Sequence, residues 1–171
     1  MAEDKKSRAA VTGAKEIPAR HRKIGPLSRR FFQVYLGLIL EVLEPFELDP
    51  SFYSVLVELS DQPGIDQRRL GEALGIDRTT TGEIVDELER RGLIDRRVDP
   101  DDRRARVLCL NKKGDALRLK IRPHMQAAQE RFVAPLAAGE RALFLDLLYR
   151  VVAGNLDREV TGGFRRRKRK S

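Results

Sequence analysis

The sequence predicts a mainly α-helical fold that carries one small β-hairpin. Apolar residues recur at spacings of three and four through residues 31–43 and 143–152, which is the period of an amphipathic helix. Between these segments, glycines separate short helical stretches, and two β-type runs flank the charged segment PDDRR. We therefore expect a helix-turn-helix followed by a hairpin in the middle of a helical chain.

The first long helix is expected to begin at Ser28, which we interpret as its N-cap. Asp49 and Pro50 then offer a cap and a first helical residue for a second helix, which Pro63 ends. The apolar stripe of the first helix comprises Phe31, Phe32, Tyr35, Leu38, Ile39, Val42 and Leu43. A broad stripe of this kind predicts a helix that packs against other helices.

The segment from residue 65 to residue 92 reads as two helices joined by a tight turn. Leu70 points inward in the first helix, Gly75 breaks it, Asp77 caps the second helix and Gly92 closes it. This order of elements is a helix-turn-helix.

The second of these helices has a polar first turn and an apolar back. Its first turn presents Arg78, Thr79, Thr80 and Thr81, whereas Ile84, Val85 and Leu88 follow at core spacing. A recognition helix in the DNA major groove needs this division, because its early residues must reach base edges or phosphates. The alternative is that the threonines only cap and solvate the helix.

The hairpin combines two β-type runs with a charged tip. We expect Arg103, Arg104 and Arg106 to serve the DNA backbone or the minor groove, with Asp102 orienting one of them. Alone, this charge run is typical of a solvated loop. Directly after a helix-turn-helix it indicates the wing of a winged helix. Asn111 then caps a further helix, which Pro123 is expected to kink or divide.

Net charge alone does not identify the partner. The chain of 171 residues has a net charge of +8, but residues 1–30 and the run RRRKRK hold fifteen of its 34 basic residues. The remainder has more acids than bases, so the basicity lies in the tails. A DNA-binding function must therefore rest on the local pattern.

The segment DRTTTGEIVDELERRGLIDRRVDPDDRRARVLCLNKKG resembles the MarR family (multiple antibiotic resistance regulators). The resemblance as a whole covers about residues 28 to 155 of this chain. Asn111 stands where the family usually has Thr, and both residues cap helices. The matching residues are Leu88, Glu89, Arg91, Gly92, Leu93, Ile94, Arg96, Asp99, Pro100, Asp102, Arg103, Arg104, Ala105, Leu108, Leu110 and Gly114.

The resemblance implies a homodimer with one winged helix-turn-helix per subunit, whose terminal helices interleave. It further implies a repressor released by a small, often phenolic or aromatic carboxylate, ligand. The apolar pattern of the sequence also favours a dimer, because the helices from Ser28 and from Gly139 carry more apolar surface than one subunit of this size easily buries. A two-fold dimer reads a palindromic DNA operator.

The N-terminal arm suggests a location for the effector. Four basic or titratable residues, Arg20, His21, Arg22 and Lys23, precede three aromatic residues, Phe31, Phe32 and Tyr35. The arm alternatively reaches the minor groove. As an effector site, these seven residues would suit an aromatic acid or its coenzyme A thioester. The basic residues favour the thioester, because it carries more negative charge.

Other classes of function have weak support in the sequence. No GxGxxG, HExxH or nucleophile motif indicates an enzyme or a cofactor, and His21 and His124 are too isolated for a metal cluster. Cys109 alternates with apolar residues and is interpreted as a small core residue. One cysteine and the lack of a signal-like or membrane-spanning apolar run favour a cytoplasmic location without membrane contact.

The sequence therefore predicts a cytoplasmic, ligand-responsive transcriptional repressor that binds DNA as a homodimer. The alternatives are a non-specific architectural DNA-binding protein and a winged helix that contacts other proteins. We divide the chain into a basic arm at 1–27, a helical dimerisation region at 28–48 and 112–160, a winged helix-turn-helix at 49–111 and a basic tail at 161–171.

Overall fold

The computed structural model of the chain describes residues 16–99 and 106–158. Six α-helices and one hairpin follow in chain order: α1 Ile24–Leu43, α2 Pro50–Asp61, α3 Gln67–Leu74, α4 Arg78–Arg90, β1 Ile94–Val98, β2 Arg106–Leu110, α5 Lys112–Val133 and α6 Ala138–Ala153. Short 3-10 turns lie at Ala19–His21, Glu44–Phe46 and Leu156–Arg158. The predicted fold class, mainly α with a small β-hairpin, is confirmed.

Side-chain caps fix the starts of the four central helices. Asp49, Asp66 and Asp77 each accept a hydrogen bond from a backbone N–H in the first turn of α2, α3 and α4. Asn111 accepts from the backbone N–H groups of Lys113 and Gly114 and caps α5. Each cap satisfies donors that a helix start leaves without an intrahelical partner. The expected caps at Asp49, Asp77 and Asn111 are therefore confirmed.

The start of α1 corrects the expected N-cap. The helix begins at Ile24, its N-cap is Lys23, and no side chain caps it. Ser28 lies inside the helix, where its Oγ donates to the Ile24 carbonyl at 2.8 Å. Gly25 and Pro26 are tolerated there because the first turn of a helix needs no intrahelical N–H donor.

Pro123 does not divide the helix that contains it. α5 runs without interruption from Lys112 to Val133, although Pro123 cannot donate a hydrogen bond to the carbonyl of Leu119. Ile121 and Ala128, on either side of the proline, are buried. Packing of α5 against α1 and α2 thus keeps one continuous helix.

One hydrophobic core joins the end of α1, the helices α2 to α5 and the hairpin. β1 and β2 pair antiparallel, with Ile94 opposite Leu110 and Val98 opposite Arg106. The fully buried side chains of the core include Leu43, Leu56, Leu59, Leu70, Leu88, Ile94, Leu108 and Ile121. This core places α4 and the hairpin side by side. We call residues 49–111, which hold α2, α3, α4 and the hairpin, the lobe.

The helix α6 lies outside this core. It contributes no buried residue, and its exposed apolar side chains are Leu143, Leu145, Leu147, Leu148, Tyr149, Val151 and Val152. Ile24, Phe31, Phe32, Val34 and Leu40 of α1 are exposed as well. No helix within the described ranges is long and apolar enough to cross a membrane.

Candidate functional site

The turn between α3 and α4 is held by close packing. Gly75 ends α3 in the left-handed region with φ of 64°, which glycine adopts without a Cβ penalty. A Cβ on Gly71 would lie 2.8 Å from Oγ1 of Thr81 and 3.0 Å from the carbonyl of Ile76. The two helices therefore meet with no space for a larger residue at position 71, which fixes the direction of α4.

The first turn of α4 exposes Arg78, Thr79 and Thr80. The carboxylate of Asp77 accepts from the backbone N–H of Thr80 at 3.0 Å and from its hydroxyl at 2.8 Å. These two bonds lower the pKa of Asp77, so the cap is ionised at neutral pH. The turn presents one guanidinium and two threonines beside the N–H groups of a helix start.

Thr81 does not share this surface. Its side chain is 1% exposed, and its hydroxyl donates to the carbonyl of Asp77 at 2.8 Å. This burial corrects the expectation that Thr81 faces DNA with its neighbours. It also supports part of the alternative interpretation, because Thr80 and Thr81 both make local helix-start hydrogen bonds.

An ion cluster joins the hairpin to α4. Arg96 of β1 donates a hydrogen bond from one terminal nitrogen to Asp86 and from the other to Glu89, both on α4. The hydrogen bond to Asp86, with the charges of both acids, raises the pKa of Arg96 despite partial burial. The sequence did not predict this role for Arg96. The available signal was the strand alternation, which puts Arg96 on the same face as buried Ile94.

The base of the hairpin is tied to α5 through Asn111. Its Nδ2 donates to Asp95 Oδ1 at 3.2 Å and to the Gly92 carbonyl at 3.1 Å. The bond from Asn111, followed by that from Arg97, lowers the pKa of Asp95. One residue thus caps α5 and fixes the hairpin that precedes it.

The tip of the hairpin lies partly outside the described residues. Arg106 is exposed at the start of β2, opposite Val98. Asp102, Arg103 and Arg104 fall within 100–105, outside the described residues. Their proposed contacts with DNA stay predictions from the sequence.

An aromatic cavity of about 700 Å³ opens between α1, α5 and α6. Phe31 and Phe132 meet edge to face with ring centroids 4.8 Å apart, and Tyr35 lies 5.4 Å from Phe132. Arg141 is the cation in the lining, and its Nε donates to the Leu136 carbonyl at 3.3 Å. The full lining is Phe31, Tyr35, Gln126, Gln129, Glu130, Phe132, Val133, Arg141, Phe144, Leu145 and Leu148.

The structure does not bring the seven expected effector residues together. Phe31 and Tyr35 line the aromatic cavity, whereas His21 lines a separate cleft with Arg29 and Arg30. Arg22 is paired with Glu16 at 3.3 Å. The remaining members, Arg20, Lys23 and Phe32, are exposed and line neither cavity. The separation has a physical cause, because His21 precedes α1 whereas Phe31 and Tyr35 lie two to three turns into it.

The sequence also missed Arg141 and the residues of α5 that complete the cavity. Phe132 and Phe144 are separated in sequence from Phe31 by about a hundred residues. Only the folded chain brings the ring of Phe31 near those of Phe132 in α5 and Phe144 in α6.

The helix α3, the glycine turn, α4 and the hairpin define a winged helix-turn-helix protein. The MarR family model matches residues 48–105. The transcriptional regulator HosA of Escherichia coli O111:H- is 32% identical over 100 residues, 58% of this chain and 74% of HosA.

Two solved structures share both fold and sequence. The PcaV transcriptional regulator of Streptomyces coelicolor, in complex with its natural ligand, is 35% identical with a TM-score of 0.68, over 82% of this chain and 98% of PcaV. CouR of Rhodococcus jostii RHA1, bound to p-coumaroyl-CoA, is 32% identical with a TM-score of 0.70, over 79% of this chain and 95% of CouR.

The chain belongs to the MarR family of DNA-binding transcriptional regulators and is not an enzyme.

Proposed function

We propose that this regulator is a homodimeric repressor that binds a palindromic operator and is released by an aromatic effector. The observation that carries the ligand-responsive part is the aromatic cavity between α1, α5 and α6, with Arg141 in its lining. The cavity lies outside the lobe that holds α4, so occupancy has to act on the DNA-binding surface through the helices.

The proposed contact with the major groove uses the exposed first turn of α4. Arg78, Thr79 and Thr80 would reach base edges or phosphates, and the α4 start would favour a phosphate through its N–H groups. The wing would add Arg103, Arg104 and Arg106, with Asp102 orienting one arginine.

The proposed dimer uses the apolar faces of α1 and α6, within the predicted dimerisation region at 28–48 and 112–160. These faces bury little in their own chain, and a second copy offers the same apolar surface to cover them. The variant Leu147→Asp should sediment as a monomer, because a charge in a buried apolar interface has no partner. Ala73→Asp adds the same charge on exposed α3 and should sediment like the wild type.

The chemistry of the cavity favours an aromatic carboxylate. The rings of Phe31, Phe132 and Phe144 offer faces and edges for an aromatic group, and the Arg141 guanidinium pairs with a carboxylate. An aromatic acid fits inside about 700 Å³. The acyl part of a coenzyme A thioester would fit in the aromatic cavity. Its phosphates would suit the cleft lined by His21, Arg29 and Arg30.

Calorimetric titration separates these two effectors. Binding of free aromatic acids that is lost in Arg141→Gln supports the carboxylate, and binding of thioesters alone supports the second form. Arg131→Gln, an exposed arginine also on the helical region, is the matched control and should bind like the wild type.

Release would follow from a shift between two dimer arrangements. An effector that binds better to the arrangement with misplaced α4 helices lowers the population that fits the operator.

The proposed function is tested by a gel shift on the DNA upstream of its own gene. We expect Arg78→Ala to weaken binding about tenfold or more, since a base or phosphate contact is lost, whereas Arg90→Ala at the other end of α4 should bind like the wild type. The sequence-based variant Arg104→Ala should weaken binding and leave the dimer folded.

Equal affinity for a random duplex would instead indicate an architectural DNA-binding protein. In that case, deletion of the basic tails would change the salt dependence of the DNA affinity most. No affinity at moderate salt would indicate a winged helix for protein contacts. Aromatic acids and their thioesters, added in turn to the specific complex, test release.

A further inference from the structure

The corner between α1 and α2 has an unusual backbone. After the turn Glu44–Phe46, Glu47 has φ of 50° and ψ of 40°, and it is the non-glycine residue with positive φ among residues 16–99 and 106–158. Residues other than glycine rarely adopt this left-handed region, because their Cβ crowds the backbone. The surrounding contacts must therefore hold the corner in this conformation.

Arg91, the residue that follows α4, supplies one of these contacts. Its Nη1 donates to the carbonyl of Glu47 at 2.8 Å, across 44 residues of sequence. Its guanidinium carbon also lies 5.3 Å from the ring centre of Phe52 in α2. A cation above an aromatic face and a bond to a carbonyl together fix the position of the guanidinium.

The same guanidinium is anchored on the recognition helix. Its Nε donates to Oε1 of Glu87 at 2.7 Å, one turn back along α4. The carbonyl of Arg91 accepts from Lys113 Nζ at 2.7 Å, at the start of α5. Arg91 thus bridges three parts of the chain: the α1–α2 corner, the end of α4 and the start of α5.

We propose that Arg91 is a positioning residue that couples α1 to the recognition helix α4. This inference rests on the proposed function, because α1 is the helix whose Phe31 and Tyr35 line the aromatic cavity. From Tyr35 to Leu43, α1 runs about 12 Å to the corner. A tilt of α1 moves the Glu47 carbonyl, and the end of α4 either follows through Arg91 or loses that bond.

A second set of contacts joins the corner to α5. Phe46 packs on α5, with Lys120 Nζ 5.5 Å and the His124 ring 6.0 Å from its ring centre. These contacts hold the corner to α5 when Arg91 is changed. Loss of Arg91 therefore releases the Glu47 peptide from α4 while the fold is kept.

Arg90 provides a matched control. It precedes Arg91 and binds the same Glu87 carboxylate, through Nε and Nη2 at 2.7 Å each. Its bonds to Glu87 stay within α4. Arg90→Gln and Arg91→Gln thus remove the same charge and each lose bonds to one carboxylate, and they differ in the bridge to the corner.

The first test is hydrogen exchange of the full chain without DNA. The reporters are the amides of Glu47 and Leu48, which donate to Glu44 and Leu43. We expect Arg91→Gln to speed their exchange about fivefold or more, and Arg90→Gln to leave it unchanged. Arg91→Lys keeps a cation over Phe52 but loses the planar fork, so its exchange should be intermediate. Equal exchange in the two glutamine variants overturns the bridge.

The second test is binding to the duplex upstream of its own gene. We expect Arg91→Gln to bind about tenfold more weakly than Arg90→Gln, because α4 loses one charged hydrogen bond that holds its position. A tenfold change in affinity is about the free energy of one such bond. Faster corner exchange with equal DNA affinity overturns the positioning role. If the wild type fails to bind the duplex, the proposed operator is wrong, and hydrogen exchange still decides whether the bridge exists.

Discussion

The winged lobe and the helices α1 and α6 are built in different ways. Each helix that begins in the lobe has a side-chain cap, at Asp49, Asp66 and Asp77, whereas no side chain caps α1 or α6, whose N-cap residues are Lys23 and Ala137. The lobe buries its apolar residues within the chain. In contrast, α6 buries none, and α1 buries only Ile39 and Leu43.

The difference indicates where each region obtains its stability. Caps and core contacts hold the lobe within one chain, so α4 and the hairpin keep their geometry locally. The apolar faces of α1 and α6 gain stability only when a second surface covers them. In the proposed dimer, the two lobes would stay rigid while their spacing changes.

The largest expected effect breaks the lobe. Leu88 is 0% exposed in α4, so Leu88→Ala should lower the free energy of unfolding by about 3 kcal/mol through lost burial and a cavity. Leu147→Ala, at a position 47% exposed in the single chain, is the matched change in α6.

Urea unfolding at two protein concentrations distinguishes the two variants. The loss in Leu88→Ala should not depend on concentration, whereas that in Leu147→Ala should be larger at high concentration, where association stabilises the wild type more than the variant. A concentration-independent loss in both variants would contradict the comparison.

A pair of glycines gives the next effect. A Cβ on Gly114 would overlap the carbonyl of Leu93, so Gly114→Ala should destabilise the lobe by about 2 kcal/mol. A Cβ on Gly37 in α1 would meet no atom within 4 Å, and Gly37→Ala should stabilise its helix by up to about 1 kcal/mol. Thermal unfolding of both variants measures the contrast, and a loss at position 37 would reveal a partner packed there.

Much of the lobe could be predicted because its signals are local. Asp77, Gly75 and Gly92 mark the ends of α3 and α4, and Asn111 marks the start of α5. The burial of Thr81 was also indicated by its position in the sequence. Thr81 lies one turn before Ile84 and Val85 on the face that includes Leu88, but the polarity of a threonine does not indicate a core residue.

The rest could not be predicted because it depends on packing between distant segments. Nothing near Phe31 in the sequence indicates that Phe132 and Phe144 will meet it. The start of α1 was missed for the opposite reason: Gly25 and Pro26 indicate a break, yet the first turn of a helix accepts both.

Exchanging the caps tests the comparison at a smaller scale. Asp77→Ala should cost the lobe about 1 kcal/mol, because the N–H of Thr80 loses its acceptor. Ala137→Asp should stabilise α6 by a smaller amount, since Glu140 already accepts from the Ala137 N–H at 2.7 Å. Helix content by circular dichroism through a urea titration measures both, and a gain in Asp77→Ala would contradict the role of the cap.

The smallest effect concerns an ion pair in each region. In α4, Arg90 and then Arg91 donate to Glu87 and hold its pKa at about 2, against an ordinary value of 4.5. In α6, Arg150 and Asp146 lie 3.8 Å apart and are both well exposed. A lowered pKa in the folded state means that Glu87 contributes stability above about pH 4.5 and loses it as the pH falls toward 2.

Carbon NMR of the Glu87 carboxyl should therefore give a titration midpoint near 2 in the wild type. Arg90→Gln should move the midpoint up, toward 4.5, because it removes the largest cause of the shift. Arg150→Gln removes an arginine from α6 and should leave it unchanged. A wild-type midpoint near 4.5 would mean that the arginines do not hold Glu87 in solution, and the anchor of Arg91 on α4 would then lose its support.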